Sequence, residues 1–222
     1  LEEYLKSIGK DPAGLTVAVQ GFGNAGSHVA RLLHEAGMKI IAISDSKGGL
    51  HCPEGLQPDA AIVCKIEKGK VEECVPAGVK CDVITNEALL ELECDILVLS
   101  ALENQLTGEN AAKVKAKVIL ELANGPVTPE ADEILKGMGV DILPDILANA
   151  GGVTVSYFEL VQNQMNYYWS LEEVLSKLKP IMQRAWRTVK ENSSKYGCTY
   201  REAAFITALK RLEAAIKMRR GA

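Results

Sequence analysis

The chain has no excess of basic residues and no long apolar segment. Its 222 residues include 25 Lys and Arg against 29 Asp and Glu, a formal net charge of −4 at pH 7. Nucleic-acid-binding domains generally carry a basic patch, so this balance argues against a nucleic-acid partner. No run approaches the roughly 18 consecutive apolar residues that a membrane-spanning helix needs, so we expect no membrane insertion.

Metal-ligand spacing is also missing. The six cysteines form no C-x-x-C pair and have no histidine at ligand spacing, which argues against a zinc or iron–sulfur site, and we expect no metal. The N-terminal residues do not resemble a signal peptide, and cytoplasmic cysteines are generally kept reduced. The sequence therefore predicts a cytoplasmic protein with reduced thiols.

What the sequence does contain is an alternation of short apolar runs with amphipathic segments, typical of a parallel sheet with helices on both faces. The predicted strands are 15–20, 39–44, 94–100, 116–122 and 140–144, with an ambiguous region at 71–85 that includes a possible strand at 81–85. The predicted helices are 24–36, 57–68, 86–92 and 128–138, followed by three long ones at 146–169, 170–192 and 199–220. We predict an α/β fold, a doubly wound, Rossmann-like and mainly parallel sheet followed by C-terminal helices.

Three glycines form a G-x-G-x-x-G pattern directly after the first predicted strand. Gly21 permits a tight turn, Gly23 lets the backbone approach a pyrophosphate, and Gly26 allows the helix to pack closely on the strand. Asp45 ends the next strand 19 residues after Gly26, where a carboxylate can bind the hydroxyls of an adenosine ribose. The pattern predicts a dinucleotide-binding site.

The residues around Asp45 leave the choice between NAD and NADP open. A lone aspartate favours the free 2′-hydroxyl of NAD. Ser46 and Lys47, however, supply a hydroxyl and a cation that can hold the 2′-phosphate of NADP. From these residues alone, the two cofactors are about equally supported.

Five motifs together resemble the cofactor-binding domain of hexameric glutamate dehydrogenases, in the family of glutamate, leucine, phenylalanine and valine dehydrogenases. They are GFGNAG, SDSKGG, LENQLT, ANGPVTPEADEIL and PDILANAGGVTVSYFELVQN, and the resemblance extends from about residue 10 to the C-terminus. It implies an oxidoreductase of amino-acid metabolism, a homo-hexamer that converts L-glutamate to 2-oxoglutarate and ammonia with NAD or NADP.

The resemblance also implies which residues form the site. Asn24 matches an asparagine that contacts the pyrophosphate, Asn124 one near the nicotinamide ribose, and Asn149 lies in the segment that faces the nicotinamide. Ser156 matches the serine that contacts the side-chain carboxylate of glutamate. The predicted cofactor-binding residues are Gly21, Phe22, Gly23, Asn24, Ala25, Gly26, Asp45, Ser46, Lys47, Ser100, Ala101, Asn124 and Asn149.

Three residues depart from the family pattern. Leu99 and Ser100 stand where Pro and Ala are usual, and Leu122 stands where Gly is usual. A leucine beside the cofactor is expected to narrow the cleft or to shift Asn124.

The resemblance also implies that the groups required for oxidative deamination lie outside this sequence. The reaction needs a lysine to activate water and a carboxylate to transfer protons. In the family these groups lie in a separate N-terminal lobe, so we predict no catalytic residue here and a chain that binds cofactor without turning over glutamate. We expect 1–14 to be a connecting helix from that lobe, 15–168 the dinucleotide-binding domain, and 169–222 helices that pack back on this domain and towards the lobe.

Two alternatives stay open. In the first alternative, the chain is a non-catalytic dinucleotide-binding module that serves as a sensor or an assembly subunit. In the second, it is the cofactor domain of a leucine or phenylalanine dehydrogenase. The segment VTVSYFE at 153–159 favours glutamate dehydrogenase, because the leucine and phenylalanine enzymes resemble this region in NAGG but lack that segment.

Overall fold

The computed structural model describes residues 1–220, which divide into two compact units at the Asp141–Ile142 bond. The strands are β1 (Thr16–Gln20), β2 (Lys39–Ser44), β3 (Gly49–His51), β4 (Asp82–Ile84), β5 (Ile96–Leu99), β6 (Val118–Glu121) and β7 (Asp141–Leu143). They form one sheet in the order β4-β3-β2-β1-β5-β6-β7, and the division between the units falls within β7.

The centre of this sheet is parallel and one edge is antiparallel. β1 pairs in parallel with β2 and with β5, and β5 with β6, whereas β3 pairs antiparallel with β2 and β4. Strands β2, β5 and β6 are buried along almost their whole length, as expected for strands covered on both faces. The predicted α/β fold with a mainly parallel sheet is confirmed.

Three of the five helices of the first unit begin at a threonine cap or a proline. They are α1 (Glu2–Ser7), α2 (Asn24–Glu35), α3 (Pro58–Lys68), α4 (Asn86–Leu90) and α5 (Pro129–Gly137), with 3-10 turns at Val71–Glu73 and Ala111–Lys113. Thr85 and Thr128 cap α4 and α5 by accepting N–H groups of Ala88 and Ala131 at 3.1 and 3.3 Å. Proline occupies the first position of α3 and α5, where its missing N–H costs nothing.

The second unit, described by itself, is helical. It contains α6 (Asp145–Ala148), α7 (Ala150–Met165), α8 (Leu171–Tyr196) and α9 (Tyr200–Arg220), so the predicted helix at 146–169 is divided at Asn149. Ring contacts pack Phe158 on Trp169 and Trp186 on Tyr200, with centroids 5.7 and 5.1 Å apart. The functional boundaries given above for 1–14, 15–168 and 169–222 stay predictions. None of the helices within residues 1–220 has the length and apolar character needed to cross a membrane.

Two disulfides contradict the prediction of reduced thiols. Because His51 pairs with Asp82 across β3 and β4, the flanking Cys52 and Cys81 face each other, with Cα atoms 4.3 Å apart and a bond between them. A second bond joins Cys64 in α3 to Cys74, directly after the first 3-10 turn. Cys94 and Cys198 are free. The sequence spacing does not reveal either pair, because the pairing of β3 with β4 and the 3-10 turn bring the cysteines together.

Candidate functional site

The candidate site lies where the chain order of the sheet reverses. β1 stands between β2 and β5, so the carboxyl ends of β1, β2 and β5 lie next to one another. The glycine loop follows β1, Asp45 follows β2, and Ser100 follows β5. Open α/β sheets bind their ligands in the crevice at this switch point.

The three loop glycines are required for different reasons. Gly21 has φ +86°, and a Cβ there would lie 2.6 Å from Ala101 N. A Cβ at Gly26 would lie 1.9 Å from Gly21 O and 2.6 Å from Ser100 Oγ. Gly23 has no neighbouring atom within 4 Å of the added carbon. The loop's own packing therefore needs Gly21 and Gly26, whereas the space beside Gly23 is open to a ligand.

The start of α2 is suited to an anion. Gly23 is its N-cap, and no side chain caps the helix, so the first N–H groups remain available to a phosphate. Asn24 and Ala25 are exposed in this first turn. Phe22 holds the glycine loop against the sheet, because its side chain is buried and its N–H donates to Ser44 O, at the end of β2, at 2.6 Å.

Ser100 fastens the glycine loop to the strand beside it. Its N–H donates to Gln20 O at 2.9 Å, and its hydroxyl lies 2.8 Å from both Gln20 O and Gly21 O. The alanine usual in the family has no hydroxyl to make these contacts. Leu99 is fully buried in β5, and the half-buried Leu122 donates its N–H to Leu99 O at 2.8 Å. All three residues that depart from the family pattern therefore contact other parts of the protein. The effect of Leu122 on the width of the cleft stays a prediction.

Asp45 is held by partners that are distant in the sequence or belong to the backbone. Its Oδ1 accepts the N–H of Lys47 at 2.9 Å, and its Oδ2 accepts the N–H of Val71 at 3.1 Å. Lys65 Nζ lies 3.6 Å from Oδ2 and donates to Phe22 O at 2.6 Å, so Lys65 connects Asp45 with the glycine loop. A carboxylate has about four acceptor positions, so Asp45 can still accept hydrogen bonds from ribose hydroxyls.

Two cavities adjoin these residues. The first, called the Asp45 cleft below, has about 390 Å³ and is lined by Asp45, Ser46, Lys47, Gly48, Glu72, Val83, Ile84, Thr85, Asn86 and Glu87. The second has about 300 Å³ and is lined by Phe22, Gly23, Ser27, Ile62, Lys65 and Ile66. Since Asp45 lines one cavity and Lys65 the other, their ion pair links the two walls.

The loops after β5 and β6 are joined by hydrogen bonds. Asn104 N donates to Gly125 O at 2.9 Å, Gln105 N donates to Pro126 O at 2.7 Å, and Leu106 forms a bridge with Val127. Gln20, at the end of β1, donates through Nε2 to Gln105 Oε1 at 2.5 Å. Asn124 and Ala101 are exposed in these loops.

The predicted site residues fall into both units. The first unit contains most of them, namely the residues 21–26 and 45–47 together with Ser100, Ala101 and Asn124. Asn149 and Ser156 belong to the second unit. Ser156 is exposed on α7, and its hydroxyl donates to Gly152 O at 3.1 Å. The assignment of all these residues to cofactor or substrate stays a prediction.

Comparison with known proteins identifies the family. The family described as Glutamate/Leucine/Phenylalanine/Valine dehydrogenase matches residues 1–220. A glutamate dehydrogenase of Thermotoga maritima is 49% identical over 213 residues, which cover 96% of this chain and 50% of that protein. The cryptic catabolic NAD-specific glutamate dehydrogenase GudB of Bacillus subtilis is 44% identical over 219 residues, 99% of this chain and 50% of that protein.

A solved structure agrees with the sequence comparison. The hetero-hexameric glutamate dehydrogenase of Thermus thermophilus, in its Leu-bound form, superposes with a TM-score of 0.89 at 33% identity. The match covers 98% of this chain and 50% of that one. The chain thus spans about half the length of the relatives it matches. The predicted resemblance is confirmed, and the chain belongs to the glutamate, leucine, phenylalanine and valine dehydrogenase family.

Proposed function

We propose that this chain is the cofactor-binding part of an NAD-dependent glutamate dehydrogenase, which converts L-glutamate, water and NAD to 2-oxoglutarate, ammonia and NADH. The observation that carries the proposal is the uncapped start of α2 beside Asp45, at the switch point of a parallel sheet in a member of this family. The name of the Bacillus subtilis relative supports both the substrate and NAD.

Different residues of the first unit are proposed to contact the pyrophosphate, the ribose and the nicotinamide half of the cofactor. The N–H groups at Asn24 and Ala25 would hold the pyrophosphate, since the positive end of a helix dipole favours an anion. Asp45 would accept hydrogen bonds from the ribose hydroxyls, and Ala101 and Asn124 would border the nicotinamide half. In the second unit, Asn149 would face the nicotinamide and Ser156 would contact the glutamate side chain. The bound cofactor supplies the hydride acceptor.

We expect the chain alone to bind NADH but not to turn over glutamate. The lysine that activates water and the carboxylate that transfers protons are proposed to lie outside these 222 residues. Steady reduction of NAD by glutamate with the purified chain alone would contradict this part of the proposal.

A titration tests the binding site itself. The purified chain is titrated with NADH, and binding is followed by nicotinamide fluorescence. Asp45→Ala should weaken binding at least about tenfold, because hydrogen bonds to charged acceptors contribute about 1.5–3 kcal/mol. Asp11→Ala is the matched control, because it removes the same charge at an exposed turn. Absence of saturable binding by the unmodified chain, or equal binding by Asp45→Ala, would overturn the proposal.

We also propose that the complete enzyme is a homo-hexamer that works in the cytoplasm. The hetero-hexameric relative from Thermus thermophilus supports an oligomer. The two disulfides remove the cysteine argument for the cytoplasm, so this location rests on the proposed NAD chemistry alone. Light scattering on the complete enzyme measures the number of subunits.

A further inference from the structure

We infer that Glu72 makes the Asp45 cleft selective for a dinucleotide without a 2′-phosphate. The inference rests on the proposed function, because it assumes that the ribose of the cofactor lies at Asp45. It goes further by assigning the choice between NAD and NADP to a side chain that belongs to none of the cofactor motifs.

The carboxylate of Glu72 lies against the backbone that follows Asp45. A Cβ added to Gly48 would be 2.8 Å from Glu72 Oε2. Val71, the residue before Glu72, donates its N–H to Asp45 Oδ2 at 3.1 Å and so holds the turn in place. Asp45 and Glu72 both line the cleft, which therefore has two carboxylates among its walls.

Two of the three cations near this cleft are paired with carboxylates. Lys70 Nζ lies 2.6 Å from Glu72 Oε1 and 2.9 Å from Glu73 Oε1, and these hydrogen bonds raise the pKa of Lys70 above its ordinary value. Lys65 pairs with Asp45. Lys47, the cation that the sequence offers for a 2′-phosphate, also lines the cleft, and its Nζ donates a long hydrogen bond to Gly69 O at 3.4 Å.

This charge arrangement discriminates between the two cofactors. Ribose hydroxyls can donate hydrogen bonds to the carboxylate of Asp45, so NAD suits this cleft without any contribution from Glu72. A phosphate monoester carries a charge of about −1.5 to −2 at neutral pH and donates little, so it is repelled by both carboxylates. Placing an unfavourable charge against the wrong ligand is a common source of specificity.

Glu72→Gln tests the inference, since it removes the charge and keeps the shape of the side chain. We expect the affinity for NADPH to rise about tenfold relative to that for NADH, because the 2′-phosphate no longer faces the charge of Glu72, and solvent in the open cleft limits the gain. The affinity for NADH should stay within about twofold, and the gain for NADPH should shrink at high salt.

Glu73→Gln is the matched control. It removes the same charge and the other carboxylate bound to Lys70, but Glu73 is not among the residues that line the cleft. We expect it to leave the ratio of NADH to NADPH affinity unchanged. If Glu73→Gln changes this ratio as much as Glu72→Gln does, the effect comes from overall charge or from the released Lys70, and the inference is wrong.

The experiment titrates the unmodified chain and both variants with NADH and with NADPH, at low and at high salt, after thermal unfolding has established that all three are folded. Failure of the unmodified chain to bind either cofactor would refute the proposed function. Binding of NADH without any change of the ratio in Glu72→Gln would refute the inference alone, as would equal affinity of the unmodified chain for both cofactors.

Discussion

Replacing Gly23 and Gly26 by alanine, one at a time, should separate cofactor binding from folding. At Gly26 the new methyl group would lie 1.9 Å from Gly21 O, whereas carbon and oxygen atoms approach to about 3.3 Å. The loop must therefore move by about 1.4 Å, and overpacking of this kind costs about 1–3 kcal/mol. For a chain of this size, 2 kcal/mol lowers the unfolding midpoint by roughly 4–8 °C.

The same methyl group at Gly23 meets no atom within 4 Å. The residue has φ −85°, which alanine also adopts, so the unfolding midpoint should change by about 2 °C or less. Because the methyl group occupies the space proposed for the pyrophosphate, affinity for NADH should fall about tenfold or more.

Thermal unfolding and NADH titration are measured on both variants and on the unmodified chain. We expect Gly26→Ala to be destabilised, and Gly23→Ala to be stable but to bind NADH poorly. A Gly26→Ala variant as stable as the unmodified chain would refute the steric argument, and a Gly23→Ala variant with full affinity would refute the placement of the pyrophosphate.

Three further predictions concern stability and thiol chemistry. Ser100→Ala should lower the free energy of unfolding by about 1 kcal/mol in denaturant titrations, because Gln20 O and Gly21 O lose a donor; an unchanged midpoint would contradict the role given to this hydroxyl. Burial alone would raise the pKa of Asp95, but the hydrogen bonds from Lys117 and Thr16 keep it below the ordinary 3.8. The stabilisation is then present at neutral pH and is lost as the pH falls from 3.8 through the lower pKa of the folded state. The unfolding midpoint of Asp95→Asn, which is lower at neutral pH, should therefore approach that of the unmodified chain over this range, and a difference independent of pH would refute the assignment. In a thiol-reagent assay at about pH 8, Cys198 should react in the folded protein and Cys94 only after unfolding, because burial raises the pKa of Cys94 to about 12. If more than two cysteines react in the unfolded protein without a reducing agent, the disulfides are absent.

The parts of the fold that local pattern determines were predictable from sequence. The strand before Gly21 is an apolar run that ends at a glycine loop, and the following helix has a regular amphipathic period, so both appear within a short window of residues. The resemblance to the family depends on the same kind of contiguous motif. The predicted sheet and family are accordingly confirmed.

The remainder depends on contacts between residues distant in the chain. β3 has only three residues and begins with glycine, so no period indicates it, and without β3 the disulfide between Cys52 and Cys81 cannot be inferred. Lys65 and Glu72 belong to a helix and a turn that follow Asp45 by 20 and 27 residues. Lysine and glutamate at exposed helical positions are common, so only the folded arrangement identifies them as neighbours of Asp45.

The disulfide between Cys64 and Cys74 gives the two sides of the site different kinds of support. It closes the segment that places Val71 and Glu72 beside Asp45, so this side of the site is held by a covalent bond. On the opposite side, the loops after β5 and β6 are joined by backbone hydrogen bonds. A reducing agent therefore acts directly on the Asp45 side alone. Binding titrations with and without such an agent measure two chemically different proteins, and the redox state of the sample has to be stated with every affinity.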